Sequence, residues 1–196
     1  GNLIGTDSDG SNDAGERNVI SANQNGILLD TVAITANTVA GNYIGTDSTG
    51  LLDRGNSFDG IRIQAGSSNN TVGGSVAAAR NIIAGNGADG IQIDGETSDG
   101  NIVRGNWIGV NAAGTGALGN DAAGIFITGG ADNTIVGGSG ANQGNWIAAS
   151  GLTGVEVDGA STGTVIQGNR IGTDLAGTAN WGTQQNGVLL ENGASV

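Results

Sequence analysis

The sequence predicts an all-β fold, a parallel β-helix of about six coils with three short strands per coil, and three observations carry that reading. The first is a tetrad of glycine, Ile or Val, any residue and an apolar residue. It begins at Gly26, Gly60, Gly90, Gly124, Gly154 and Gly187, at spacings of 34, 30, 34, 30 and 33 residues. The second is an asparagine–x–Ile element at Asn18, Asn42, Asn81, Asn106, Asn145 and Asn169, spaced 24, 39, 25, 39 and 24 residues apart. The third is a short β-branched run lying between them: Thr38-Val39, Thr71-Val72, Ile102-Val103, Thr134-Ile135-Val136 and Val165-Ile166. A fixed period of this size marks a solenoid.

Each element follows from strand geometry. Successive side chains alternate across a strand, so the tetrad puts its two apolar residues on one face. Four residues cannot bury that face alone, and stability comes from stacking on the equivalent strand of the next coil, about 4.8 Å away. Ile27, Ile61, Ile91, Ile125, Val155 and Val188 then form one interior file, and Ile44, Ile83, Ile108, Ile147 and Ile171 another. Stiff β-branched side chains suit such files. The repeated asparagines are expected at a tight bend, each amide bonding its equivalent one coil on. Six coils give a rod on the order of 25–30 Å long. Residues 1–196 read as one β-helix segment, with double-coil repeats at 41–104 and 105–167. The chain opens inside one motif (GNLIGTD) and closes inside another (GVLLENGASV), as expected of a piece of a longer repeat protein.

Composition narrows the function classes. Forty glycines between short β-branched runs supply many tight turns. Six arginines, no lysine and eighteen acids give a formal net charge of −12. That balance argues against nucleic acid and anionic membranes, which are gripped by basic patches. No apolar run is long enough for a membrane span, so no membrane insertion is expected. The chain has no cysteine, which removes disulfides, zinc thiolates and thiol nucleophiles.

The strings GNYIGTDSTG (41–50), GNWIGVNAAG (105–114) and GNRIGTDLAG (168–177), with NNTVGG (69–74), ARNIIAGN (79–86) and ERNVISAN (16–23), resemble the right-handed parallel β-helix repeats of large secreted or cell-surface bacterial proteins. The resemblance covers essentially the whole chain. It implies a right-handed coil and an extracellular or cell-surface segment. The broader superfamily includes pectate lyases, polygalacturonases, epimerases and phage tailspikes, so the resemblance leaves enzymatic activity open.

Three surfaces are candidate sites. Residues 5–16 can be laid on a twelve-residue calcium-loop register, with Asp7, Asp9, Asp13 and Glu16 at ligand positions and Gly10 at the sharp turn. Gly5 stands where the first carboxylate belongs, and the alternative is a solvated acidic turn bonding its own backbone. The register decays in the later loops, leaving Asp47 and Asp53, Asn111, and Asp174, which are expected as metal-free turns with Asp47 and Asp174 capping local backbone. Second, the outward residue of the asparagine–x–Ile strand reads Val19, Tyr43, Ile82, Trp107, Trp146 and Arg170. Tyr43, Trp107 and Trp146 form either a ring stripe for a polysaccharide or a satellite core roofed by corner loops. Third, Asp30, Gln64, Asp94, Thr128, Asp158 and Glu191 follow the glycine-led strand as a diluted acidic face, with Arg62 expected between Asp30 and Asp94.

Catalysis has little to work with. Without histidine or lysine there is no imidazole shuttle and no Schiff-base amine. Two carboxylates suffice for a glycosidase, but no adjacent Asp-Asp pair is present. The expectation is a non-catalytic structural or adhesive module, with calcium (Ca2+) as its one candidate cofactor. Its partners would be further coils of the parent chain or a second copy end to end. A polysaccharide-binding module and a polysaccharide lyase or hydrolase are the alternatives.

Overall fold

A computed structural model describes residues 1–182 and 185–196. Among them are eighteen strands and one short 3-10 turn at Ala77–Ala79. The strands build three six-stranded parallel sheets, and each sheet takes every third strand in chain order. That is a β-solenoid of about six coils. No helix of the described residues is long and apolar enough to cross a membrane.

The glycine-led sheet stacks Ile27–Asp30, Ile61–Gln64, Ile91–Asp94, Ile125–Thr128, Thr153–Val157 and Asn186–Leu190. The asparagine-led sheet stacks Val19–Ile20, Tyr43–Ile44, Ile82–Ile83, Trp107–Ile108, Trp146–Ile147 and Arg170–Ile171. The third sheet stacks Thr38–Ala40, Thr71–Gly73, Ile102–Arg104, Ile135–Gly137 and Val165–Gln167, and it begins with Leu3–Gly5, a strand the repeat pattern alone does not reveal.

The register runs as the two interior files require. Ile27, Ile61, Ile91, Ile125, Val155 and Val188 are successive Cα partners, and so are Ile20, Ile44, Ile83, Ile108, Ile147 and Ile171. Val39, Val72, Val103 and Val136 supply a third wall. All of these but Val188 form one continuous core, in which burial of each fully buried isoleucine contributes roughly 2 kcal/mol. The two ends differ. Ile27 and Leu29 of the first coil are only 7% exposed, whereas Val188 and Leu190, in the same files at the last coil, are 46% and 42% exposed.

Asparagine ladders close the corners. In the expected ladder each Nδ2 donates to the Oδ1 of the next coil, from Asn18 to Asn42, Asn81, Asn106, Asn145 and Asn169, at 2.9 to 3.1 Å. Two more ladders occupy the other corners. Asn2, Asn37, Asn70 and Asn101 form one, and Asn23, Asn56, Asn86 and Asn120 the other. In each rung the backbone N–H of the donating asparagine reaches the same Oδ1, so a bend that leaves main-chain groups unpaired is satisfied by the coil above it. The corners also admit nothing larger than glycine where chains cross. At Gly109, with φ +75°, a Cβ would lie 1.8 Å from the carbonyl oxygen of Ala148.

Candidate functional site

The N-terminal loop gathers three of the four carboxylates named from the sequence. Ligand oxygens of Asp7, Asp9 and Asp13 all lie within 4.8 Å of one another, an arrangement able to hold a divalent cation. Glu16 stands outside that group, and its Oε2 accepts the Asp7 N–H at 3.2 Å. The same carboxylates also serve the turn: Asp7 Oδ1 accepts the Asp9 N–H, Asp9 Oδ1 accepts the Ser11 N–H, and Asp13 Oδ1 accepts the Thr6 hydroxyl. If a hard cation joins this loop, calcium at millimolar concentration raises the melting temperature, and Asp9→Ala combined with Glu16→Ala removes the rise. An unchanged melting temperature when EDTA is added to calcium-loaded protein would end the calcium reading.

The later loops are built on backbone caps. Asp47 Oδ1 accepts the N–H groups of Leu51 and Leu52, and Asp174 Oδ1 those of Thr178 and Ala179. The Thr49 hydroxyl for Asp47, and the Ala179 N–H for Asp174, are the main causes that hold each carboxyl below its usual range. Asn111 makes the equivalent bond to the Thr115 N–H.

Those loops lie over the aromatic stripe. Each is closed by an antiparallel bridge, at Thr46–Asp53, Val110–Ala117 and Thr173–Asn180. A Cβ at Gly50 would come within 2.8 Å of the Tyr43 ring, and one at Gly114 within 3.1 Å of Trp107. Trp146 is 2% exposed; its Nε1 donates to the Thr173 carbonyl, and its ring stacks on Trp181 at 5.4 Å. Trp107 meets Trp146 edge-on at 5.1 Å. Arg17 lies 4.1 Å from the Tyr43 ring centroid, and Arg80 lies 4.2 Å from that of Trp107. Tyr43 and Trp107 are therefore half-buried with a guanidinium on the ring, and Trp146 belongs to a satellite core with Val110 and Ala148. This is the roofed form of the stripe, made possible by loops of one length on every second coil. Trp181, which repeats with nothing else, completes it.

Beside the glycine-led sheet the acids are not simply solvated. Arg62 bridges Asp59 and Asp94, 3.2 Å from each, so its partner on one side is Asp59 in place of the expected Asp30. Asp59 and Asp89 precede the tetrad glycines of consecutive coils and are 2% and 7% exposed. Asp59 Oδ1 accepts the Asp89 N–H, and Asp89 Oδ1 accepts the Ala123 N–H at 2.8 Å. Burial pushes the Asp89 carboxyl up to about 7, and the charges of Asp59 and Glu156 add to the rise. A carboxyl poised near neutrality is a common mark of a general acid. Here its Oδ1 is committed to a corner rung, and the geometry is that of a ladder. In the sequence the only trace of this pair was an Asp-Gly step, which reads equally well as an ordinary turn. Glu156, Asp158 and Glu191 form a second carboxylate group within 4.8 Å, and burial raises the Glu156 carboxyl.

Comparison with protein-family models, with curated proteins and with solved structures finds no match to this chain.

Proposed function

We propose that this chain is a rigid, non-catalytic spacer or display rod within an exported, cell-surface or extracellular protein, and that its partners are further coils of the same plan. One observation carries the reading: the same three-walled register, with the Asn18 to Asn169 corner beside it, persists through successive coils without a break that opens the core. A structure of this kind resists local opening because each coil is held by neighbours on two sides. The export component is supported by the resemblance of the GNxIG-type strings to surface repeats. End-to-end partners are supported by the unpaired strand edges and by the exposed interior residues Val188 and Leu190.

Hydrogen exchange on the intact chain tests the mechanical claim. Amides of the second to fifth coils are expected to share a slow exchange rate limited by unfolding of the whole stack, with faster exchange confined to the terminal coils and the roofing loops. Independent opening of single inner coils would sink the rod reading. So would the release of new reducing ends or unsaturated products from acidic or neutral glycans, which would favour a lyase or hydrolase.

A further inference from the structure

Arginine placement is out of keeping with the charge of the chain. There are eighteen acids and only six arginines, yet among the described residues Arg62 alone forms a carboxylate ion pair. Two of the others, Arg80 and Arg170, line the same groove on the asparagine-led face, together with Trp107, Ser139, Asn142 and Asn145. Its volume of about 530 Å³ falls in the range of small-ligand sites. No aspartate or glutamate lines it. In a chain with three acids for each base, that is a local reversal of charge.

The groove is also preorganised. The Arg80 guanidinium is laid on Trp107, and its Nε is buried without a hydrogen-bond partner. Burial lowers its affinity for the proton, with no counter-ion to offset the cost. Arg170 stands in register with Trp146 and is solvent-exposed. Arg80 belongs to the third coil and Arg170 to the sixth, so about 14 Å along the axis separates their backbones, and the Arg80 guanidinium reaches one coil toward Arg170 to lie on Trp107. Between them lie an indole edge and the amides of Asn142 and Asn145, a mixture suited to a ligand with apolar faces and hydroxyl rims.

We propose that this groove binds a short anionic oligosaccharide, with one sulfate or carboxylate group against Arg80, a second toward Arg170 and a sugar ring against the edge of Trp107, whose face Arg80 covers. A guanidinium presents a planar fork of donors that matches either oxyanion. The extended charge of a nucleic acid is disfavoured by the −12 of the whole chain, which leaves room for a ligand carrying a few charges. The site is a cleft beside the roofed aromatic stripe, not an open ring platform, and it stands or falls separately from the rod reading.

All three tryptophans of the chain sit at or beside the groove, so intrinsic fluorescence reports on it directly. The experiment titrates the whole chain with a sulfated trisaccharide, a uronate trisaccharide, a neutral trisaccharide and inorganic sulfate, all at matched ionic strength. At least one charged trisaccharide is expected to give a saturable change, about tenfold or more tighter than the neutral one. The sulfated and uronate arms identify which oxyanion is used. Arg170→Gln, on an exposed side chain whose loss leaves the fold intact by circular dichroism, is expected to weaken binding roughly tenfold, and Arg80→Gln at least as much. Arg54→Gln, outside the groove, leaves it unchanged. The proposal is overturned if no charged sugar binds saturably, if the neutral sugar binds equally well, if inorganic sulfate binds as tightly as the sulfated sugar, or if Arg170→Gln has no effect.

Discussion

Replacing Asn106 with alanine is expected to destabilise the chain by on the order of 4 kcal/mol, whereas the same change at Asn18 costs less than about 1 kcal/mol. Asn106 is fully buried. Its Nδ2 donates to the carbonyls of Val72 and Arg104 and to Asn145 Oδ1, and its own Oδ1 accepts from both the Nδ2 and the N–H of Asn81. Alanine removes one rung on each side and strands donors and acceptors that water cannot reach, each at a cost of about 1–3 kcal/mol. Asn18 makes the same kind of bond in the first coil, but it is exposed and bonds in one direction only, to Asn42. Urea midpoints of the two variants measure the difference. Equal losses would show that the ladders contribute nothing specific to burial.

Asp89→Asn is expected to stabilise the chain above pH 7 and to leave it nearly unchanged near pH 4. The sign follows from linkage. The folded carboxyl binds its proton up to about pH 7, well above the ordinary 3.8 of an exposed aspartate. The folded state therefore holds more protons across this window, and stability falls as pH rises from about 4 to about 7. A displacement of this size corresponds to on the order of 4 kcal/mol lost between the two limits. Asparagine cannot ionise and keeps an Oδ1 for the Ala123 N–H, as Asn25 does for the Asp59 N–H two file positions earlier. Thermal melts from pH 4 to 9 should give a flatter profile for the variant. Parallel profiles for variant and parent would show that Asp89 is ionised in the folded chain throughout.

Both expectations concern side chains whose residue type was plain in the sequence and whose surroundings were not. The Asn18 to Asn169 file was legible because each member precedes an invariant x–Ile step. The file from Asn23 to Asn120 was harder to see, because it precedes the tetrad glycine by four residues at Asn56, Asn86 and Asn120 but by three at Asn23, and no apolar residue marks the step. The file from Asn2 to Asn101 stops where Thr134 takes the next place. Asp59 and Asp89 look like turn residues until the corner of one coil is laid on the corner of the next, which desolvates them. The carboxylates of the N-terminal loop were legible as a group; that Glu16 faces the Asp7 N–H and not the other three depends on how the loop closes.

The periodic pattern by itself determined the strands, the side each residue faces and the neighbour it meets one coil away, because alternation and stacking need only local spacing and a repeat. Tertiary structure alone decided what covers the outward face. Trp107 and Trp146 sit in the same Gly-Asn-Trp-Ile string, yet one is half-buried under Arg80 and the other sealed by Thr173 and Trp181. Those covers come from segments 27 or more residues away; the loops keep one length, but the period does not specify the residues that they lay on the ring, and the cost of exposing an indole selects among them only once the coils have stacked.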